Sequence, residues 1–224
     1  MKEKLTVREL YAYPEHSLAY PALSRCEYPW EILSRISDLI PEIGAGLSEE
    51  EYDRVGEDIW ISKRATVAPT ACINGPCIIG HGAEIRHCAF IRGSAIVGDG
   101  AVVGNSTELK NCILFDGVQV PHYNYVGDSV LGYKSHMGAG AVTSNVKSDK
   151  SDVVVRIMGE QVVTGRRKFG AMLGDFVEVG CNSVLNPGTV IGSHSNVYPL
   201  SAVRGYVPEK SIFKAINNIV AKHD

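Results

Sequence analysis

The side chains that could carry acid–base chemistry are concentrated between residues 121 and 145. The chain reads Pro121-His-Tyr-Asn-Tyr-Val-Gly-Asp128, then Met137-Gly-Ala-Gly140 and Thr143-Ser-Asn145. His122 is the first candidate, because an imidazole titrates nearest to neutral pH and can accept a proton there. A single histidine is more often a hydrogen-bonded structural side chain, so the surrounding pattern has to decide its role.

Cysteine chemistry is not indicated by the spacing of the thiols. The six cysteines show no CxxC pair, and the N-terminal MKEKLTVREL lacks the apolar region of a secretory leader. We therefore expect small thiols packed in a core, without disulfides or a metal cluster, at Cys26, Cys72, Cys77, Cys88, Cys112 and Cys181.

Charge and composition exclude other classes of protein. Twenty-two Lys and Arg against 25 Asp and Glu give a net charge of −3, so no basic field is available for nucleic acid. No stretch approaches the ~18 apolar residues of a membrane span. The sequence predicts a cytoplasmic globular protein, and its 23 glycines indicate many turns.

A six-residue repeat predicts the elements that position these side chains. Aliphatic or aromatic residues recur at every sixth position in two blocks: Ile61, Val67, Ile73, Ile79, Ile85, Ile91, Val97, Val103, Leu109 and Phe115, then Leu173, Val179, Leu185, Ile191, Val197 and Val203. A second register, two residues earlier, holds small residues such as Ala83, Ala89 and Ala95. Helices repeat every 3.6 residues and extended strands every two, whereas short strands joined by tight corners can repeat every six. We predict an all-β fold, a parallel β-helix of hexapeptide repeats over 59–206, in preference to a sandwich or jelly roll.

Two flanking segments and one interruption complete the expected organisation. Residues 1–58 contain capping-box patterns and an amphipathic run from Trp30 to Ile40, which predict a helical N-terminal cap. The apolar spacing after Glu209 predicts a C-terminal helix over 207–224. Residues 146–170 break the six-residue step around Gly159, and we interpret them as an excursion loop beside the candidate site, with a hairpin as its candidate form.

Between roughly residues 60 and 204 the sequence resembles a known family. The His122 motif, the stretch from Arg166 to Asp175 and Asn186-Pro-Gly188 are similar to the acetyltransferase domain of bifunctional glucosamine-1-phosphate acetyltransferase/N-acetylglucosamine-1-phosphate uridylyltransferases and their archaeal relatives. The resemblance implies a left-handed β-helix, a homotrimer and acetyl-CoA as cosubstrate. Some apolar residues lie outside the inward register and are expected to point outward, which also favours contacts between copies: Val102, Ile113, Val130 and Val184.

The resemblance also implies roles for individual residues. His122 aligns with the catalytic histidine of the family. Arg92, Lys110 and Tyr125 align with residues that hold the sugar phosphate, and Asn145 aligns with an asparagine of the sugar pocket. Ala139 and Cys181 match positions whose backbone groups line the coenzyme A groove. No metal is implied.

The sequence departs from the family at three positions near the acceptor. Val146 replaces an aromatic residue, His136 replaces a second asparagine, and Ser151 stands where a loop lysine is expected, with Lys150 beside it. Residues 1–58 also lack the Gly-rich nucleotide loop of the family, so we expect no nucleotidyltransferase activity from them.

These observations favour one function and leave two alternatives. We expect transfer of acetyl from acetyl-CoA to the amine of an amino-sugar phosphate, glucosamine 1-phosphate first, in the UDP-N-acetylglucosamine pathway. The alternatives are a regulatory or oligomerisation solenoid that partners a separate sugar nucleotidyltransferase, and a zinc-dependent carbonic anhydrase using His81, His87 and His122, which lacks the close histidine pair such a site needs.

Overall fold

Inward side chains at six-residue steps wind the middle of the chain into a parallel β-helix. The computed structural model describes residues 2–222. Equivalent strands pair in parallel every 17 or 18 residues, as Ile79 does with Val97 and Val97 with Leu114. The repeat positions are buried from the second coil onward, whereas Val67 in the first coil is 37% exposed because no coil covers it. The predicted β-helix is confirmed.

The coils have three faces, defined here by their strands. Face 1 contains Ile59–Ser62, Cys77–Ile79, Ala95–Val97, the second halves of Glu108–Leu114 and Tyr125–Leu131, Ala171–Leu173, Thr189–Ile191 and Tyr206–Val207. Face 2 contains Thr66–Val67, Glu84–Ile85, Val102–Asn105, Gln119–His122, His136–Met137, Glu178–Val179, Asn196–Val197 and Ser211–Ala215. Face 3 contains Cys72–Ile73, Phe90–Ile91, the first halves of Glu108–Leu114 and Tyr125–Leu131, Val142–Thr143, Val184–Leu185 and Ala202–Val203.

Two corners border face 3 and matter for the site. We call the turn from face 2 to face 3 corner A and the turn from face 3 to face 1 corner B. Small residues occupy crowded turn positions, as the second register predicts. Ala89 at corner A is buried. Thr107 holds the equivalent position in the next coil, and its hydroxyl donates to the Val120 carbonyl at 3.0 Å. A threonine or serine at this turn position can donate a hydrogen bond to a backbone carbonyl, which an alanine cannot do.

The N-terminal segment is helical as far as Gly44. Its α-helices are Val7–Leu10, Tyr20–Leu23 and Ile36–Gly44, and its 3₁₀ helices are Lys2–Leu5, Pro14–His16 and Pro29–Ser34. The expected helical boundary at 58 is wrong, since Tyr52–Gly56 is a strand antiparallel to Ile59–Ser62. The run from Trp30 to Ile40 is also divided at Arg35, and its second helix continues through Pro41 to Gly44.

This segment lies along face 1 and does not cap an end of the solenoid. Lys4 is 3.2 Å from Glu209 near the last coils, the Leu33 carbonyl accepts a hydrogen bond from Asn111 at 3.0 Å, and Gly44 packs on the Trp60 ring at the first coil. A Cβ at position 44 would lie 2.4 Å from that ring, which explains the glycine. The outward residues of face 1 are consequently buried: Ile78, Ile96, Ile113, Val130, Met172 and Val190.

The burial of face 1 corrects part of the expectation about contacts between copies. Ile113 and Val130 are fully buried under the N-terminal segment, so they cannot mark a subunit interface. Val102 is half-buried on face 2, and Val184 is 38% exposed on face 3. Only the latter two positions remain available for such a contact.

The predicted C-terminal helix over 207–224 is wrong. Ser211–Ala215 joins face 2 and Asn218–Ala221 returns antiparallel to it, while His223 and Asp224 lie outside the described residues. A six-residue step resumes from Val207, four residues after Val203, to Phe213, which is buried on the inside of the last coil. Asn217 has a φ of +66°, a conformation that asparagine tolerates well, and it makes the turn.

The expected excursion is confirmed as an antiparallel hairpin. Val153–Ile157 pairs with Glu160–Arg166, and Leu131 pairs with Leu173 across the 42-residue interval that contains them. The hairpin leaves the solenoid at corner B, directly after Asn145. Among residues 2–222, no helix has the length and apolar character needed to cross a membrane.

Candidate active site

Three of the candidate residues stack at corner A. The Gly140 amide donates to the His122 carbonyl at 3.0 Å, and the Asn182 amide donates to the Ala139 carbonyl at 2.8 Å. These bonds place His122, Ala139 and Cys181 at the same corner of three successive coils. All three are at least partly accessible, so a ligand running along corner A would meet each of them. The expectation of core thiols is therefore wrong for Cys181, and also for Cys72 and Cys88, which are exposed.

A buried amide fixes the turn that presents His122. Asn124 is 3% exposed; its Oδ1 accepts the His122 amide at 3.0 Å, and its Nδ2 donates to the carbonyls of Gly138 and Ala141 at 2.8 and 3.0 Å. The His122 side chain is exposed and forms no hydrogen bond within the part of the chain that the structure describes. The backbone is therefore held while the imidazole stays free for a ligand.

A second group of candidates surrounds a buried carboxylate at corner B. Asp128 is 3% exposed and accepts hydrogen bonds from Lys110 Nζ at 3.1 and 3.2 Å, Asn111 Nδ2 at 2.8 Å and Asn145 Nδ2 at 2.5 Å. Asn111 and Asp128 have φ values of +50° and +48°, which these residue types tolerate at a tight corner. Burial lowers the pKa of the Arg166 guanidinium at the base of the hairpin, whereas the charge of Asp128 raises it.

Tyr125 and Arg92 join this group from face 3. Asn145 Nδ2 donates to the Tyr125 hydroxyl at 3.2 Å, and burial raises the pKa of that phenol, with smaller contributions from Asp128 and Glu108. Glu108 pairs with Tyr125 in the ladder, and its carboxylate accepts from Arg92 Nη1 at 2.8 Å. Both cations predicted to bind a phosphate therefore already contact a carboxylate of the same chain.

The candidate residues consequently form two groups on opposite edges of face 3. Lys110, Tyr125 and Asn145 are joined through hydrogen bonds, and Arg92 contacts them through Glu108. Tyr125 follows His122 by three residues, so their Cα atoms are at most about 10 Å apart.

Asp128, Glu108 and Asn124 are the residues that sequence reasoning did not assign. The coil length was the signal for Asp128, which lies 18 residues after Lys110, whereas Glu108 stacks on Phe90 in the ladder and its carboxylate reaches Arg92 from there. Residues one coil apart are stacked neighbours. A lysine and an aspartate at that spacing on one corner predict an ion pair.

The positions that depart from the family are occupied in other ways. His136 Nδ1 lies 2.8 Å from Glu178 on face 2, and Val146 is 43% exposed at the start of the excursion. Ser151 contacts Lys147 and Asp149 within its own loop. His81 and His87 lie on different corners of the solenoid, where each contacts a neighbouring hydroxyl, of Ser62 and Thr70 respectively.

Comparison with known proteins places this site in a family. Residues 73–218 match the family described as "GMPPB C-terminal domain". A bifunctional sugar-1-phosphate nucleotidylyltransferase/acetyltransferase of Sulfurisphaera tokodaii is 37% identical over 49% of this chain and 27% of its own length. The bifunctional protein GlmU of Methanococcus maripaludis (strain C5) is 31% identical over 87% of this chain and 48% of its own. The chain thus spans about a quarter to a half of the curated relatives it matches.

A solved structure gives a weaker likeness. The acetyltransferase domain of PglB from Neisseria gonorrhoeae has a TM-score of 0.36 at 18% identity, with 83% of this chain and 64% of that chain covered. The curated relatives confirm the resemblance drawn from the His122 motif. The family match runs from the face 3 strand of the first coil to the C-terminal hairpin, and the chain belongs to the GMPPB C-terminal domain family.

Proposed function

We propose that this chain is an acyltransferase that moves the acetyl group of acetyl-CoA to the amine of an amino-sugar phosphate, with glucosamine 1-phosphate as the acceptor. The observation that carries the proposal is the arrangement on face 3. One edge holds an accessible imidazole in a row with Ala139 and Cys181, and the other holds the polar group around Asp128. Acetyl transfer to an amino-sugar phosphate needs a base for the amine and a separate site that holds the phosphate.

His122 acts as the general base in this proposal. The acceptor nitrogen attacks the thioester carbonyl carbon, a C–N bond forms, and the nitrogen passes a proton to the imidazole. The C–S bond then breaks, and the thiolate leaves as the coenzyme thiol after protonation. A positioned base contributes about 10²–10⁴-fold to such a step.

The Ala139 amide is the donor for the developing oxyanion. The neighbouring amides of Gly138 and Gly140 donate to the carbonyls of Val179 and His122, at 2.7 and 3.0 Å. Within residues 2–222 the Ala139 amide has no such partner outside the ladders, and Ala139 lies one coil beyond His122. An amide aimed at a developing negative charge stabilises the transition state more than the ground state.

The acceptor is held at corner B. Tyr125 and Asn145 bind the sugar, and its phosphate competes with Asp128 and Glu108 for the ammonium of Lys110 and the guanidinium of Arg92. Charge-assisted contacts of this kind contribute about 1.5–3 kcal/mol each. The coenzyme lies along corner A, where Ala139 and Cys181 offer backbone groups.

Three copies of the chain assemble around this site. The N-terminal segment covers face 1, so the contacts between copies involve faces 2 and 3, which border corner A. Acetyl-CoA then lies in a groove between two copies, and the protein works in the cytoplasm.

The non-catalytic alternative also has an observation in its favour. Arg92 and Lys110 are both neutralised by carboxylates of the same chain, and an anion has to displace those carboxylates to bind. A solenoid that only assembles with a sugar nucleotidyltransferase needs no such exchange.

A thiol-release assay separates the two functions. The chain is incubated with acetyl-CoA and a panel of amino sugars and their 1-phosphates, and free thiol is measured. We expect turnover with glucosamine 1-phosphate and much less with glucosamine. No thiol release above background with any acceptor would reject the enzymatic proposal.

A further inference from the structure

A cavity of about 300 Å³ lies at corner B between the hairpin and the coils that follow it. We call it the hairpin cavity. Its walls come from the loop after Asn145, one strand of the hairpin and two later corner turns, and its charged lining residues are Lys147, Asp149, Arg156 and Arg204.

The alternation of the first hairpin strand explains why Arg156 faces this cavity. Val153, Val155 and Ile157 are buried, so Val154 and Arg156 point to the other side of the strand, where both line the cavity. Two glycines let the strand lie this close. A Cβ at Gly205 would be 2.7 Å from the Arg156 carbonyl oxygen, and one at Gly188 would be 2.9 Å from that of Val154. The wall that carries Arg156 is therefore fixed against the coils.

The lining is basic, and two of its cations have no carboxylate partner. Lys147 is 3.5 Å from Asp149, whose carboxylate also accepts the Ser151 amide at 2.9 Å. Across residues 2–222, neither Arg156 nor Arg204 forms an ion pair, and Arg204 Nη2 only approaches Asn186 Oδ1 at 3.4 Å. Arg92 and Lys110, by contrast, are both paired with acids.

We propose that the hairpin cavity binds a phosphoryl group. Two guanidiniums that face one space repel each other unless an anion lies between them, and their planar forks match phosphate oxygens. The hydroxyl groups of Ser144 and Ser148 add uncharged donors, while Val146, Val154 and Pro187 give an apolar surface. The volume is at the lower end for ligand pockets and suits a phosphate with a small attached group.

The phosphoryl group has two possible sources, because the cavity adjoins the proposed acceptor site. Ser144 and Val146 line it, and Asn145 between them contacts Asp128 and Tyr125. The phosphate of the acceptor itself could reach the cavity, or a separate phosphorylated ligand could occupy it. Binding of a phosphoryl group in the hairpin cavity does not depend on acetyl transfer. Only its identification as the phosphate of the acceptor rests on the proposed function.

Calorimetric titration of the full chain with inorganic phosphate and with pyrophosphate, at low salt, tests the site directly. Arg156→Gln and Arg204→Gln should each weaken binding about 10- to 100-fold, as expected for loss of a charge-assisted contact. Arg64→Gln, at an exposed arginine of the first coil, is the matched control and should leave binding unchanged. Absence of binding by the parent chain, or equal binding by all three variants, would overturn the proposal.

A second measurement identifies the source. If Arg156→Gln raises KM for glucosamine 1-phosphate but not for glucosamine, the acceptor phosphate enters the cavity. If both KM values are unchanged while phosphate binding is lost, a separate ligand occupies it. A chain that releases no thiol but binds phosphate through Arg156 and Arg204 rejects the proposed function and retains this site.

Discussion

His122 combines a fixed backbone with a free side chain, which makes it a clean target for substitution. Its amide and carbonyl are held by Asn124 and Gly140, whereas its ring is exposed. Removing the ring opens no cavity in the core, so a change in rate can be assigned to the imidazole.

His122→Ala should lower kcat about 10²–10⁴-fold if deprotonation of the amine limits the rate. His87→Ala, at an exposed histidine of the same corner, is the matched control and should keep parental turnover. A folded His122→Ala protein with parental kcat would remove the base assignment.

Arg92→Ala should mainly weaken acceptor binding. We expect KM for glucosamine 1-phosphate to rise roughly 10- to 150-fold, with KM for acetyl-CoA unchanged, because one charge-assisted contact is lost. Arg86→Ala is a close control, since Arg86 pairs with Glu84 at the same 2.8 Å on face 2. Lys110→Ala should have a similar effect on KM, but it also deprives Asp128 of its charge partner. Unchanged KM in both variants would contradict the phosphate assignment.

Asp128→Asn should destabilise the chain by about 2–3 kcal/mol. An amide leaves one oxygen to face the donors of Lys110, Asn111 and Asn145, and a buried ion pair is broken. Urea unfolding measures the loss, with the exposed Asp152→Asn as control. Adding Lys110→Met should recover part of it, because the two substitutions act on one pair. Additive losses would show that the pair is not coupled.

At the level of elements, the sequence patterns predicted the solenoid better than its flanks. The six-residue register marks the side chains that are buried inside each coil. Because every coil repeats this register, the prediction of the solenoid does not depend on any single position. The C-terminal helix was mispredicted because Ile212, Phe213, Ile216 and Ile219 also fit a helical face. The step from Val207 to Phe213 and the turn at Asn217 were the competing signals.

The candidate site was only partly predictable for a related reason. Motif similarity identified residues along the chain, and the coil length of 17 or 18 residues then places them on one corner or another. Which carboxylate neutralises which cation depends on side chains that meet across coils, as Lys110 and Asp128 do. The hairpin cavity depends on how residues 153–157 fold back, and no local pattern encodes that packing.

The attachment of the N-terminal segment should depend on pH through Asp175. This fully buried carboxylate accepts the Ala12 amide at 2.7 Å and the Tyr133 amide at 2.8 Å, and burial raises its pKa above the usual 3.8. The unfolded chain therefore loses this proton at lower pH than the folded chain. As pH rises through the interval between the two pKa values, the free energy of unfolding falls.

Asp175→Asn should remove that contribution. As pH rises from about 4 toward neutrality, the unfolding free energy of the parent should fall relative to that of the variant, because only the parent has a carboxyl group at position 175. Urea titrations at four pH values measure it, and Asp152→Asn again serves as control. A difference that does not vary with pH would contradict the role of burial at this carboxylate.

At the scale of the whole molecule, the covered face 1 restricts how copies can associate. Light scattering at micromolar concentration should report a particle of three times the 24.2 kDa chain. Val184→Asp should shift the population toward monomer, whereas Val163→Asp at the exposed hairpin should not, because only Val184 lies on face 3. A stable monomer of the parent chain would refute the trimer.

The path of the N-terminal segment has a consequence for how the chain unfolds. Stacked repeats normally contact only their neighbours, so their end coils fray and cooperativity decays along the stack. Here one continuous segment touches the last coils near Glu209, the middle coils at Asn111 and the first coil at Trp60. Unfolding of either end coil therefore releases part of the N-terminal segment, and the same segment also packs on the other coils. The amide protons of the first and last coils should exchange with solvent at rates close to those of the middle, as in a closed domain and unlike an open repeat array.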